Sequence, residues 1–232
     1  MNDEKYNIPL YDFILIGISI FLMILLIALC IVIIIKSNKK IENEIITTDL
    51  IFNNLEIELY FKNRNEIVCN LTYDCIVNKE GVSDFRKSII WTGSSYNYTK
   101  IVESNGQYDI SDSDRKASPY LYIINFNKLL SIGDNLYFKL KTSVNDDDSS
   151  MMPVFSHMVK QQTFNFSIQL TVPKNLVKNV RPAVYKDITR TVKVNNDIKL
   201  LKKNVGDLIQ YYYTIENPSL LNNYCIEWDF IK

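Results

Sequence analysis

The apolar positions of this chain follow two patterns, one continuous and one alternating. The continuous pattern covers residues 13–35, FILIGISIFLMILLIALCIVIII, which carry no charged side chain. As a helix that rises ~1.5 Å per residue, this segment reaches roughly 35 Å and can cross a hydrocarbon core of ~30 Å. The pattern therefore predicts one transmembrane helix at 13–35, preceded by a short N-terminal tail at 1–12, in a single-pass membrane protein.

The flanks of this segment indicate how it sits in a membrane. The apolar run is longer than the ~7–15 residues of a signal-peptide core, and IKSNKK follows it instead of a small-residue cleavage site, so we expect an uncleaved anchor. Three lysines lie within 36–40, whereas 1–12 holds one lysine against three acidic residues. The positive-inside rule then places the C-terminal domain in the cytoplasm. The reversed topology, an extracytoplasmic component of the cell envelope, is the alternative.

The alternating pattern begins after a polar connector at 36–50. Apolar and polar side chains alternate with period 2 along 55–62 and again along 67–77, which is typical of strands that bury one face. Similar stretches recur to the end of the chain, and none of them has helical periodicity. The predicted strands lie at 55–62, 67–77, 85–91, 96–102, 119–126, 136–142, 163–172, 181–186, 188–194, 197–202, 208–215 and 224–231.

About eleven or twelve short strands without a helix predict a single all-β domain at 51–232. We expect an antiparallel β-sandwich or barrel, because doubling or closing a sheet protects its edges. The clearest strand is 163–172, where Phe164, Phe166 and Ile168 are predicted to face the core together. The polar stretches at 103–118 and 145–150 are predicted to be loops.

Catalytic and metal-binding motifs are missing from the sequence. Its one histidine, His157, lies between apolar residues, and such a residue is typically packed rather than catalytic. The sequence has no phosphate-binding loop, nucleophile elbow or zinc motif. The aspartates at 109–114 and 146–148 lack the glycine and distal glutamate of a calcium loop, so we interpret them as solvated loops. We expect no enzyme activity, no cofactor and no metal.

The three cysteines after the predicted span are Cys69, Cys75 and Cys225. Each lies in an apolar strand, and rigid extension would hold Cys69 and Cys75 too far apart for a disulfide. We therefore expect buried free thiols, which agrees with the reducing environment of the cytoplasm.

Charge suggests where a ligand could bind. The whole chain balances 26 basic against 26 acidic residues. Residues 173–203, however, have nine Lys or Arg against two Asp, an excess of +7. Such a face could meet anionic lipid, a nucleotide or a nucleic acid; the alternative is a solvated strand face balanced by the acidic loops. If strand alternation holds, the candidate ligand-binding residues are Lys186, Arg190, Lys193 and Lys199.

The order of parts, a membrane segment followed by a β-strand-rich domain, resembles bacterial anti-phage membrane effectors of the SMODS-associated two-transmembrane type. The resemblance implies a β-rich cytoplasmic sensor for a cyclic oligonucleotide and membrane segments that assemble and disrupt the membrane. This chain departs from the family by having one predicted span, and no binding residue can be carried over. We expect a membrane-anchored, non-enzymatic binding or sensor module whose partner is another protein, a second copy of itself or an anionic ligand.

Overall fold

A computed structural model describes residues 49–112, 119–194 and 197–231, together with Met23 and Leu26. The chain divides into two units, residues 1–47 and 48–232. In the first unit, Met23 and Leu26 are helical and exposed. Apart from these two residues, the predicted span at 13–35 lies outside the described residues, as do the tail and nearly all of the connector. The described part of the chain has no helix with the length and apolar character that crossing a bilayer requires.

The described part of the second unit is built from β-strands, which confirms the predicted all-β class for this unit. The strands are β1 (Leu50–Phe61), β2 (Glu66–Val77), β3 (Val82–Ile89), β4 (Ser95–Ser104), β5 (Asp109–Asp112), β6 (Tyr120–Leu130), β7 (Asn135–Asn145), β8 (Val154–Met158), β9 (Thr163–Pro173), β10 (Val177–Tyr185), β11 (Leu201–Val205), β12 (Leu208–Glu216) and β13 (Asn223–Phe230).

The predicted strand at 188–194 is wrong, because the chain turns there and makes only an isolated bridge between Tyr185 and Lys193. Two strands, β5 and β8, were not predicted, and β5 lies in the predicted loop at 103–118. Of the predicted strand at 197–202, only the last two residues belong to a strand, β11.

The strands form one large sheet and two small ones. The large sheet has the order β11-β12-β9-β1-β2-β7-β4, and the small sheets are β10-β13-β8 and β3-β6-β5. Every neighbouring pair is antiparallel except β1 and β9, which run parallel. The expectation of a wholly antiparallel domain is therefore wrong at this central pair. The large sheet ends in the edge strands β11 and β4, so the described strands do not close into a barrel.

One face of the large sheet packs against both small sheets. Leu55, Ile57 and Leu59 alternate with half-buried or exposed residues along β1, as the period-2 pattern predicts. At one end of β1, the Phe61 ring packs edge-on against Trp228 of β13, with 5.9 Å between centroids. At the other end, Phe52 packs in the same way against β3, and both small sheets thus share one core with the large sheet.

Strand β9 confirms most of its predicted inner face. Phe166 and Ile168 are fully buried, whereas Phe164 is 42% exposed, so its predicted inward orientation is wrong. The alternation fails because β1 has a register irregularity between Phe52 and Asn54, beside this end of β9. Phe164 and its successor consequently both face outward.

The three cysteines are buried and free, which confirms the prediction for their thiols. The loop at 145–150 differs from the predicted solvated loop. Asp146 is fully buried and ion-paired with Arg64, and its Oδ1 accepts a hydrogen bond of 2.7 Å from the Met151 amide. The neighbouring aspartates are exposed as predicted. Within the described residues, no group of three or more His, Cys, Asp or Glu is placed to hold a metal ion.

Candidate functional site

The candidate site is a cleft of about 300 Å³ between the edges of the two small sheets. Strand β3 is the edge of one small sheet and β8 is the edge of the other, and the large sheet lies beneath both. The floor of the cleft consists of apolar side chains of β1, β2 and β7, among them Ile57, Leu71 and Val144. We call this space the basic cleft, for the charges described below.

Contacts that involve side chains connect the two walls of the basic cleft, and among the described residues no backbone–backbone hydrogen bond joins them. The Lys87 Nζ of β3 lies 3.3 Å from Nδ1 of His157 on β8. At one end of the cleft, the Met152 amide donates a 3.0 Å hydrogen bond to the Thr92 hydroxyl. Thr92 follows β3 and Met152 precedes β8, so the two strands run in opposite directions from this end.

Four basic side chains line the cleft, and no Asp or Glu is found among its lining residues in the described part of the chain. They are Arg86, Lys87, Lys160 and Arg190. Arg86 has a carboxylate partner, since its Nε lies 2.9 Å from Asp84 Oδ1 outside the cleft. Because charge in a partly apolar space is unfavourable without a partner of opposite sign, this arrangement favours an anion as the occupant.

The protonation states inside the cleft follow from burial and from the neighbouring charges. Desolvation, reinforced by Lys160, lowers the pKa of Lys87 to about 8. The pKa of His157 lies well below its usual range, because the ring is desolvated and faces two lysines. Burial raises the pKa of the Cys69 thiol to about 12. At neutral pH the cleft therefore presents the Lys87 ammonium next to an uncharged imidazole and an uncharged thiol.

The loop at 186–192 brings Arg190 to the mouth of the cleft. The Asp187 carboxylate accepts hydrogen bonds from the Thr189 hydroxyl at 2.6 Å and from the Thr191 and Val192 amides at 3.0 and 2.9 Å. These bonds lower the pKa of Asp187 and stabilise the tight loop, in which Arg190 adopts a left-handed backbone with φ of 59°. The Arg190 Nη2 lies 3.7 Å from the Met152 sulfur at the end of the cleft.

The four candidate ligand-binding residues do not all line the cleft. Arg190 lines the cleft, whereas Lys186, Lys193 and Lys199 are exposed and do not. Strand alternation was predicted to pair Lys186 with Arg190 on one face and Lys193 with Lys199 on another, but 188–194 is a loop. Their role in ligand binding stays a prediction.

The sequence pattern did not identify Arg86, Lys87, His157 or Lys160 as site residues. Lys87 lies two positions after the buried Phe85 in β3, and this spacing predicts that the lysine points to the same, inner face. His157 packs as predicted, with its ring 5.8 Å from that of Phe166. The position of His157 in a cleft could not be predicted from the sequence, because the strand that carries it, β8, was not predicted.

Comparison with known proteins gives a fold-level likeness at most. No protein-family model matches the chain, and a search of curated proteins finds no match. Among solved structures, an M1 zinc metallopeptidase from Deinococcus radiodurans is similar, with 8% identity and a TM-score of 0.46 over 78% of this chain and 43% of that one. A candidate protease from Parabacteroides distasonis matches at 8% identity and a TM-score of 0.46 over 78% and 40%. The chain thus spans about two fifths of these proteins, and no chemistry follows from similarity at this level.

Proposed function

We propose that this protein is a membrane-anchored, non-enzymatic binding or sensor module that takes an anionic ligand in the basic cleft. The observation that carries the proposal is the concentration of Lys87, Lys160 and Arg190 around an apolar floor without a lining carboxylate. Concave, mostly apolar sites with a few convergent polar groups are the common form of ligand sites.

The charge of Lys87 supports this proposal most directly. Its ammonium contacts the His157 ring, and the ring nitrogen does not compensate a positive charge. Desolvation already lowers its pKa, so an anion would recover part of the lost solvation of the ammonium. Ligand binding would then raise the affinity of Lys87 for its proton.

The apolar segment at 13–35 supports the membrane anchor, and the lysines after it support a cytoplasmic position for the β-domain. A sensor in this position would read a cytoplasmic anion or an anionic partner at the inner face of the membrane. A C-terminal reporter that is active only outside the cytoplasm would contradict this topology and favour the extracytoplasmic alternative.

The binding test compares two charge reversals on the same loop. Full-length protein in zwitterionic nanodiscs is titrated against a labelled oligonucleotide and a labelled acidic peptide, with fluorescence anisotropy as the readout. Arg190→Glu is expected to weaken binding about thirtyfold, because a reversal changes two unit charges worth ~1 kcal/mol each near 4 Å in water, or ~2 kcal/mol together. Lys186→Glu is the matched control, since that lysine is exposed on the same loop but outside the cleft.

The pair separates a site from a diffuse basic surface. Weakening by Arg190→Glu with little change in Lys186→Glu supports the cleft. Equal weakening by both reversals would mean that the ligand responds to the overall positive charge of this surface. Salt screens such a long-range attraction over ~10 Å at 0.1 M. Unchanged binding of both probes in Arg190→Glu, or no binding of either probe at low salt, would overturn the proposed function.

A further inference from the structure

We infer that the ligand of the basic cleft is an extended acidic peptide segment that inserts as a β-strand between β3 and β8. This inference deepens the proposed function and rests on it. The ligand is then a protein segment, and the cleft recognises its backbone hydrogen-bonding groups as well as its charge.

The first observation is that each wall of the cleft is a sheet edge. Strand β3 pairs with β6 on one side, and β8 pairs with β13 on one side. On their facing sides, neither strand has a backbone hydrogen-bond partner among the described residues. Extended strands carry N–H and C=O groups on both sides, and unpaired edges are the usual template for strand addition.

The second observation is the arrangement of these edges. The two strands run in opposite directions, and they lie in two sheets that cover the same face of the large sheet. Neighbouring strands are spaced ~4.8 Å apart in a sheet. One inserted strand would pair antiparallel with one wall and parallel with the other. It would join the two small sheets into the continuous order β10-β13-β8-peptide-β3-β6-β5.

The third observation explains why the segment is acidic. An inward-pointing charged residue is a common device against uncontrolled pairing at a sheet edge. Lys87 occupies such a position, and an apolar strand would bury its ammonium without a partner. A strand that brings a carboxylate to this position would pair with Lys87 and displace its contact with His157. The edge is therefore selective for acidic segments, and Lys160 and Arg190 extend the same preference to the mouth of the cleft.

The floor determines the remaining side chains of the segment. Side chains of an inserted strand alternate between the floor and the outer surface. Ile57, Leu59 and Leu71 would receive small apolar side chains. The segment thus resembles a strand of about five residues, the length of β8, with apolar side chains facing in, acidic ones facing out and one carboxylate opposite Lys87.

The test uses full-length protein in zwitterionic nanodiscs and a labelled peptide of about eight residues. The peptide alternates Val and Glu, with one inward Val replaced by Glu. A second peptide has the same sequence with N-methyl groups on its central amides, which removes backbone donors and leaves the charge unchanged. A third peptide replaces every Glu with Gln. We expect the N-methylated and the Gln peptides each to bind at least tenfold more weakly than the parent.

The outcomes distinguish this inference from the proposed function. If the N-methylated peptide binds as tightly as the parent, only charge is read and the strand insertion is overturned. If the oligonucleotide binds with dependence on Arg190 while the parent peptide does not bind, the inference is also overturned, and the proposed function stands. If the parent peptide binds and its affinity is insensitive to Arg190→Glu and to Lys160→Glu, the cleft is not its site and the inference is overturned. The proposed function is overturned as well only if oligonucleotide binding is also unchanged in Arg190→Glu.

Discussion

Two phenylalanines two positions apart test how the core of this domain is built. Phe166 is fully buried in β9, between Leu55 of β1 and Ile215 of β12. Its ring lies 5.4 Å from that of Tyr224 in the opposing small sheet. Phe→Ala in a core destabilises by ~3–5 kcal/mol, and a site held between hydrogen-bonded strands on both sides cannot collapse to fill the space. We therefore expect Phe166→Ala to lower the free energy of unfolding by about 4 kcal/mol.

Phe164→Ala is the matched control, since the same side chain is removed from the same strand. Phe164 is 42% exposed, so we expect its loss to change the free energy of unfolding by less than ~1 kcal/mol. The sequence pattern alone would give the two variants equal effects, because it places both residues on one face.

The assay is thermal unfolding of the full-length protein in nanodiscs, followed by tryptophan fluorescence. Trp228 is buried in the same core and reports on it. For a domain of this size ~1 kcal/mol shifts Tm by ~2–4 °C, so Phe166→Ala should lower Tm by about 8–16 °C and Phe164→Ala by a few degrees at most. Equal shifts, or a larger shift for Phe164→Ala, would refute the orientation of β9 described above.

Two further predictions concern charged groups. Binding of the acidic peptide should weaken as pH rises through about 8, because Lys87 then loses its proton while the His157 ring and the Cys69 thiol stay uncharged. In anisotropy titrations, Lys87→Arg should abolish this loss of affinity. A loss of affinity near pH 8 that persists in the variant would contradict its assignment to Lys87. Asp146→Ala should lower the free energy of unfolding by about 1.5–3 kcal/mol in denaturant melts, because it leaves the Arg64 guanidinium without its carboxylate. The control Asp147→Ala, at an exposed position, should leave the free energy of unfolding nearly unchanged. Equal losses of stability in the two variants would mean that burial of Asp146 is unimportant.

Through Lys87, a rise in pH strengthens folding although it weakens ligand binding. Its pKa falls from 10.5 to about 8 on folding, so the unfolded chain binds more protons between these values. Without ligand, the contribution of Lys87 to stability therefore increases as pH rises from about 8 to 10.5. An anion in the cleft would remove part of this dependence by raising the pKa of the folded state.

Local patterns predicted most of the strands, because burial of one face imposes a period of 2 on any strand long enough to show it. Strands β1 and β2 each have 12 residues, and their alternation is clear in the sequence. Strand β8 has five residues, VFSHM, including a serine and a histidine, which is too short and too polar for the same signal. The loop that follows Tyr185 shows the opposite error, since scattered apolar residues there imitate a strand.

The candidate site could not be predicted because its parts meet only in three dimensions. Lys87 and His157 are 70 residues apart, and nothing in the sequence indicates that β3 and β8 face each other. Residues 173–203 carry a basic excess, but charge counting cannot tell Arg190, which lines the cleft, from Lys186, which does not. Burial of Asp146 was equally hidden, since its partner comes from the β1–β2 turn.

Because β1 pairs in parallel with β9, one side of β1 stays unpaired during part of biosynthesis. Glu58 and Gln169, which pair across this junction, are 111 residues apart, so one side of β1 has no neighbour until β9 has been made. At ~5–20 residues per second, translation needs roughly 5–20 s to supply that neighbour. The hairpin of β1 and β2 can form at once, but its open side stays available to other chains for this interval. We expect misassembly of this protein to start there, and slower translation between β2 and β9 to increase it.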